Sequence, residues 1–388
     1  MVEASSIRFS TTSDIVFGAG SIDSLGALAK DCGIRHALLV TDGGIASRQM
    51  HQPAVNSLIA SGINVTVYAD VIADPPAAIV EGAATAARSA GCDGVIGFGG
   101  GSSMDTAKLV AVLICGEQPL EAMYGVDKVT ARRVPLIQVP TTAGTGSEVT
   151  MVAVVTTGAT TKMGVVSRIL LADRVILDPA LTVSMPGPVT AATGIDAMVH
   201  AIEAYTSVRL KNPLSDMLAR EALRLLAGNI ERAVQTPHDL VARGAMLLGA
   251  MYAGQAFANA PVAAVHALAY PLGGNYHIAH GLSNSLVLPH VLRFNEPAAE
   301  PLYRELLPLI LGGAATDTRQ GSATSRLAAH FLALAGKLGI ATRLRDLDIP
   351  RGDLPRLAAE ALLQQRLLVN NPRKVSEADA LAIYEQAY

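Results

Sequence analysis

Cysteine and charge are both scarce in this chain, and each shortage excludes a class of protein. Three cysteines in 388 residues, Cys32, Cys92 and Cys115, are far apart, odd in number and set in apolar segments. They give no disulfide framework and no metal-ligand spacing, and they predict buried thiols in a reducing compartment. Charged residues make up 16% of the chain and nearly cancel, 33 acidic against 30 basic, for a formal net charge of −3. Nothing in that balance suggests a nucleic-acid footprint or attraction to an anionic membrane surface. The expected partners are small molecules and further copies of the chain, as a homodimer or larger homo-oligomer. Met1 to Ser10 lack the basic and apolar regions of a secretory signal, and no later segment runs long enough without interruption to span a bilayer. A cytoplasmic protein is expected. Solenoid-period repeats and low-complexity tails are missing too.

What is plentiful is apolar surface, half of all residues, enough to fill two cores of ordinary size. After a segment ending in Phe17-Gly-Ala-Gly20, helical patterns over residues 21–32, 47–61, 77–90 and 104–115 alternate with strands at 36–40, 64–68 and 94–97. A turn is expected at Thr41-Asp-Gly-Gly44, and residues 136–139 and 174–177 read as further strands. Such alternation implies right-handed crossovers and a parallel sheet with helices on both faces. Residues 1–183 are therefore expected to form an α/β dinucleotide-binding domain. From Pro186 onward the pattern becomes long, alanine- and leucine-rich and helical, punctuated at Asn212-Pro213, Gly273-Gly274 and Asn371-Pro372. An all-α domain over 184–388 follows.

Two polar loops carry the first chemical signal. Gly97-Phe-Gly-Gly-Gly-Ser-Ser-Met-Asp-Thr-Ala-Lys108 follows a strand and opens a helix, where glycines let backbone approach a pyrophosphate and the helix N-terminus offers N–H groups. Pro140-Thr-Thr-Ala-Gly-Thr-Gly-Ser-Glu-Val-Thr150 is again glycine-rich after a strand, with hydroxyls for a phosphate or a nicotinamide. Asp42, at the end of a strand, can accept from both adenosine ribose hydroxyls and would repel a 2′-phosphate, favouring NAD over NADP; the alternative is a turn-forming Asp before Gly43-Gly44.

The second signal is a set of metal-binding side chains. Asp196 and His200 are four residues apart in a helical stretch, hence on one face, about one turn from each other. Alone such a pair is more often a surface pair on a helix than a site. His266, in an apolar helical stretch, and His280, beyond a Pro271-Leu-Gly-Gly274 break, supply two further candidate ligands, each of which alone could be a hydrogen-bonded core histidine.

Taken together, Gly99-Gly-Gly-Ser-Ser-Met-Asp-Thr-Ala-Lys108, Pro140-Thr-Thr-Ala-Gly-Thr-Gly-Ser-Glu148, Ala192-Thr-Gly-Ile-Asp-Ala-Met-Val-His-Ala-Ile-Glu203, Pro271-Leu-Gly-Gly274 and Asn371-Pro-Arg373 make a specific pattern. The chain resembles the iron-containing (group III) alcohol dehydrogenases, a family that includes lactaldehyde reductases and 1,3-propanediol dehydrogenases. The resemblance implies the dehydroquinate synthase-like fold, Fe²⁺ (or Zn²⁺, which the donors also suit) and NAD(H). It implies Asp196, His200, His266 and His280 as metal ligands. Cofactor contacts would come from Asp42, Asp74, Gly99, Gly100, Gly101, Ser102, Thr141, Thr142, Thr145 and Lys162. The substrate pocket would take Val152, Phe257 and Asn259, two apolar walls and an amide that suit a short aliphatic alcohol or aldehyde. Glu203, one turn beyond His200, is a candidate to orient a ligand.

One departure stands out. Where many of these dehydrogenases place a histidine, one turn after the third ligand, this chain has Tyr270, and an additional histidine, His277, lies three residues before the fourth. Both are candidates for proton transfer, and both could be packing residues. The expected reaction is hydride transfer between an alcohol or aldehyde and the nicotinamide. Transhydrogenation between a hydroxyacid and an oxoacid, a lyase of the dehydroquinate synthase type, and a non-catalytic NAD-binding protein are the rival readings.

Overall fold

In the computed structural model the described residues are 6–158, 161–313 and 321–388. The chain divides into two compact units. One is Thr11–Met185 with His238–Leu247; the other is Pro186–Pro237 with Leu248–Tyr388, to which the segment ending at Ser10 also belongs.

In the first unit the strands among the described residues are β1 (Ile15–Phe17), β2 (His36–Asp42), β3 (Asn64–Val71), β4 (Gly94–Gly99), β5 (Gly125–Val126), β6 (Leu136–Pro140), β7 (Val152–Thr157), β8 (Thr161–Val166) and β9 (Arg174–Leu177). Six of them form one sheet in the order β1-β9-β6-β4-β2-β3, every pair parallel. Helices α1 (Leu25–Asp31), α2 (Gly43–Ser47), α3 (Gln52–Ala60), α4 (Ala77–Ala90) and α5 (Gly101–Leu113) lie between the strands in sequence. The central strands are apolar runs rather than alternations: β4 is buried throughout and β2 buries Ala37 to Thr41, as a sheet covered on both faces requires. Leu39, Ile96, Phe98, Ile137, Val139 and Ile176 of the sheet share a core with Leu25, Ala29, Ala54 and Leu58 of α1 and α3.

Strand order reverses between β2 and β4. The chain leaves β2 toward β3 on one side and leaves β4 toward β6 on the other. A crevice at the carboxyl ends of such strands is where open α/β sheets bind ligands. Asp42 ends β2 and Gly99 ends β4.

Three local expectations are corrected here. Residues 41–44 do not form a free turn: β2 runs on to Asp42, whose Oδ1 accepts the Ile45 N–H at 3.0 Å and caps α2. The helix expected over 47–61 consequently splits into α2 and α3, with Gln49 between them at φ 56°. The cysteines are not all buried, since Cys32 and Cys92 are half-buried and Cys115, just past the end of α5, is exposed. A hairpin of β7 and β8, with β5 alongside β8, was not expected. Its β-branched runs on either side of Gly158 carried the signal.

The second unit contains α6 (Gly187–Thr206), α7 (Pro213–Gln235), most of α8 (Leu240–Asn259), α9 (Ala264–Tyr276), α10 (His280–Leu311), α11 (Ala323–Lys337), α12 (Leu354–Ala361), α13 (Gln365–Leu368) and α14 (Glu377–Ala387). α6 packs against α7 and α10, and α10 against α9 and α11. From Thr190 onward α6 is buried on every side apart from Thr193, although it carries Asp196, His200 and Glu203. The break expected at Pro271-Leu-Gly-Gly274 does not occur, because α9 continues through it to Tyr276. A helix-interior proline costs about 3 kcal/mol. The surroundings hold α9 in place regardless: Tyr384 Oη donates to Leu268 O at 2.6 Å, and Tyr276 Oη bonds Asp353 beside α12. Among the described residues no helix is long and apolar enough to cross a membrane.

Candidate metal centre and cofactor loops

Packing α6, α9 and α10 together brings four sequence-distant donors to one place. Asp196 and His200 lie one turn apart on α6, His266 is in the first turn of α9, and His280 is the first residue of α10. Their ligand atoms all lie within 4.8 Å of one another. Asp196 Oδ1 stands 3.9 Å from Nε2 of each of the three histidines. Asp196, His200 and His266 are buried, whereas the His280 side chain is 34% exposed, so the cluster opens on the His280 side. Burial alone would push the Asp196 carboxyl up; the imidazoles of His200, His280 and His266 and the Asn284 amide outweigh it and hold the group below the usual carboxylate range. An ionised buried carboxylate among three imidazoles is costly unless something positive shares it. One oxygen and three ring nitrogens suit Fe²⁺ or Zn²⁺, so the residues fit the group.

The surroundings fix these side chains in orientation. Glu203, buried one turn past His200, accepts from His266 Nδ1 at 2.6 Å through Oε2 and from the Val265 N–H at 2.7 Å through Oε1. A carboxylate only accepts, so the proton sits on Nδ1 and the Nε2 lone pair is left to face the cluster. Glu203→Gln replaces one acceptor by a donor and drives His266 toward the other tautomer. It is expected to weaken metal affinity about 10–100-fold in a chelator competition; unchanged affinity would remove Glu203 from the site. Phe257 stacks on His200, ring centroids 4.4 Å apart, and His200 on His266 at 4.7 Å. Gly281 permits the junction of α10 with α6, since a Cβ there would come 2.5 Å from Ala192 O.

Other expected residues fall as follows. The Tyr270 ring is tilted against His280 with centroids 6.0 Å apart, on the open side of the cluster. His277 is exposed and left-handed at φ 54°, capping α9 through its N–H to Gly273 O at 3.0 Å. Asn259 is buried and its amide is engaged elsewhere: Oδ1 accepts the Ser10 N–H at 2.7 Å, and Nδ2 donates to Ser10 O and Gln255 O, each at 2.9 Å. It is not an idle pocket amide. Val152 lies on β7, in the other unit from Phe257. Sequence reading missed Asn284, buried one turn after His280, because an amide is not among the usual cation ligands.

In the α/β unit the two glycine-rich loops meet. The Thr141 N–H donates to Gly99 O at 2.9 Å. A Cβ on Gly101 would stand 2.9 Å from Thr145 Cγ2, and one on Gly100 would stand 3.5 Å from Thr142 Cγ2. Gly99 has φ +151°, and a Cβ there would meet Ser103 Oγ at 2.7 Å. Helix α5 starts at Gly101, with Ser102 in its first turn, and has no side-chain cap at Gly100. The bare backbone, the helix N-terminus and the switch point fit a dinucleotide pyrophosphate. Asp42 uses Oδ1 as the α2 cap. Asp74, at φ 51°, is ion-paired to Lys162 at 2.6 Å, which joins two of the expected cofactor residues.

The buried Lys108 was missed as the clamp of these loops. Its Nζ donates to Ser147 Oγ at 2.7 Å, Thr150 Oγ1 at 3.1 Å and Val152 O at 2.6 Å. Beside it, burial pushes the Glu148 carboxyl up to about 7. A carboxyl raised on folding stabilises fully below the unfolded value and loses that contribution as pH rises through the folded one. The thermal midpoint is therefore expected to fall between pH 5 and pH 8, and to fall less in Glu148→Gln. An equally steep fall in the variant would contradict the assignment.

Residues 12–179 match the family model described as iron-containing alcohol dehydrogenase, and residues 190–388 match that of the C-terminal part of the Fe-containing alcohol dehydrogenase family. The chain belongs to the iron-containing alcohol dehydrogenases. It is 41% identical over 374 residues to long-chain-alcohol dehydrogenase 1 of Geobacillus thermodenitrificans strain NG80-2, covering 96% of this chain and 94% of that one. The crystal structure of a 1,3-propanediol oxidoreductase superposes with a TM-score of 0.95 at 34% identity, over 99% of this chain and 100% of the other. Sulfoacetaldehyde reductase from Bifidobacterium kashiwanohense, solved in complex with NAD⁺, gives 0.88 at 27% identity, over 99% of both chains. Members of the family are metal- and NAD-linked oxidoreductases of alcohols and aldehydes, and this chain is an enzyme of that type.

Proposed function

We propose that the chain reduces short, uncharged aliphatic aldehydes with NADH and oxidises the corresponding alcohols with NAD⁺, holding Fe²⁺ on Asp196, His200, His266 and His280. The observation that carries this reading is the convergence of those four donors within 4.8 Å, with His280 one-third exposed. When bound, the metal supplies Lewis acidity to the carbonyl or alcohol oxygen, and the nicotinamide supplies or takes the hydride. The chain contributes position and dryness. Glu203 sets the His266 tautomer, and the Phe257 ring covers His200 with an apolar face. Asp42, Asp74, Lys162 and the loops at Gly99–Ser102 and Thr141–Thr145 hold the dinucleotide. Because the Tyr270 ring lies against the open ligand, its hydroxyl is assigned the proton transfer, with His277 outside that step. Tyr270→Phe is then expected to lower kcat about 10²-fold and flatten the pH profile while metal content stays constant. Equal activity and an unchanged profile would return Tyr270 to a packing role.

Phe257, stacked on His200, gives the pocket an apolar wall, and the engaged Asn259 amide offers it no idle polar group. The named relatives act on long-chain alcohols, 1,3-propanediol and sulfoacetaldehyde, so chain length and a terminal anion are the variables to test. NADH oxidation by the Fe²⁺-loaded protein is measured anaerobically with acetaldehyde, propanal, 3-hydroxypropanal, a long-chain aldehyde and sulfoacetaldehyde. The proposal expects the highest kcat/KM among the short neutral members; a clear preference for the long or the sulfonated aldehyde overturns it. The same reading places the protein in the cytoplasm, in keeping with the free thiols, and takes it as a homo-oligomer, which light scattering checks.

A further inference from the structure

We propose that Asn284 is a fifth polar partner of the metal centre, a positioning residue whose amide holds three of the four donors in register and whose oxygen end turns toward the cation. The proposal rests on the metal reading above. Asn284 follows His280 by one turn on α10 just as His200 follows Asp196 on α6, so each helix delivers a pair of side chains to the same spot. The Asn284 Nδ2 donates to Asp196 Oδ1 at 2.6 Å and lies 3.3 Å from Nε2 of both His266 and His280. One amino group thus touches three of the four donors.

Asn284 is fully buried, and its Oδ1 has no hydrogen-bond partner among the described residues. An unpaired amide oxygen in an interior is costly. A half-turn of the amide exchanges its nitrogen and oxygen with almost no change of shape, so the two ends are alternatives at one position. They answer opposite charges. With nitrogen inward, one N–H of the amide supports the ionised Asp196 and the other is shared between the ring nitrogens of His266 and His280. Since Glu203 keeps the proton of His266 on Nδ1, the Nε2 lone pair of His266 serves either the amide N–H or a cation, but not both. A cation drawing on that lone pair therefore displaces the N–H and favours the half-turn that presents Oδ1. Asn284 couples the orientation of one amide to the charge held by the cluster.

The test uses the full chain as Asn284→Leu and Asn284→Asp, with His266→Ala as control. Fe²⁺ affinity is read by chelator competition, and thermal midpoints are read for metal-free and Fe²⁺-loaded protein. Leucine keeps the volume and removes both polar ends, and is expected to weaken affinity about 10–100-fold. Aspartate presents oxygen at all times. It is expected to lower the metal-free midpoint through repulsion with Asp196 and to bind Fe²⁺ at least as tightly as asparagine, so that loading raises the midpoint more than in the wild type. Wild-type affinity in Asn284→Leu, or an equal fall of both midpoints in Asn284→Asp, overturns the proposal. Retention of Fe²⁺ by His266→Ala would overturn the metal reading itself, and this inference with it. Loss of Fe²⁺ in His266→Ala with both Asn284 variants behaving as wild type would overturn this inference alone.

Discussion

His266→Ala and His280→Ala are each expected to leave a folded protein that no longer holds a divalent metal and has lost about 10³-fold or more in kcat/KM for aldehyde reduction. Lewis-acid stabilisation by the metal contributes several kcal/mol to such a reaction, and each 1.4 kcal/mol is a factor of ten. The two variants should differ in stability. His266 is buried against Glu203, so its removal leaves a buried carboxylate with the Val265 N–H as its remaining named partner. His280 is one-third exposed, so water can fill part of its place. The thermal midpoint should fall more for His266→Ala than for His280→Ala. Metal content by mass spectrometry, with steady-state rates, checks the pair; full metal and activity in both would mean that the site is elsewhere.

Gly99→Val should produce the complementary phenotype, weak cofactor binding with normal metal content. Gly99 sits at φ +151°, which side chains rarely adopt, and a Cβ would meet Ser103 Oγ at 2.7 Å in the first turn of α5. Forcing a branched residue there stores about 1–3 kcal/mol of strain or moves the loop, which is roughly 10–100-fold in NADH affinity. The metal ligands belong to the other unit, so Fe²⁺ binding should stay at the wild-type level. Fluorescence titration with NADH measures the loss; equal affinity would remove the glycine loop from the pyrophosphate.

Much of this architecture is written in local pattern. Strand and helix periodicities placed α4 and β9 at their observed bounds, because each buries one continuous apolar face or run. The spacing of Asp196 and His200 gave half of the metal cluster, since helix geometry fixes what lies one turn apart. Pairing them with His266 and His280 needed the family pattern, because the packing of α6, α9 and α10 depends on contacts that no single segment encodes. Pro271 misled for a related reason: proline is a local helix breaker, yet tertiary contacts around Leu268 and Tyr276 carry α9 through it. Asn259 looked like a pocket amide, and only the folded chain shows it pinned to Ser10, 249 residues away. Lys108 and Asn284 stood inside quoted or adjacent motifs but went unread. A buried lysine clamp and an amide on a metal cluster are recognisable only through their partners.

The most direct test of the central claim is an anaerobic titration of metal-free protein with Fe²⁺ while NADH oxidation by a short aldehyde is followed. The one four-donor cluster found among the described residues predicts a rate that starts near zero and rises linearly to a break at one Fe²⁺ per chain. A metal-free protein that turns over at the full rate, and gains nothing from added Fe²⁺, would contradict it.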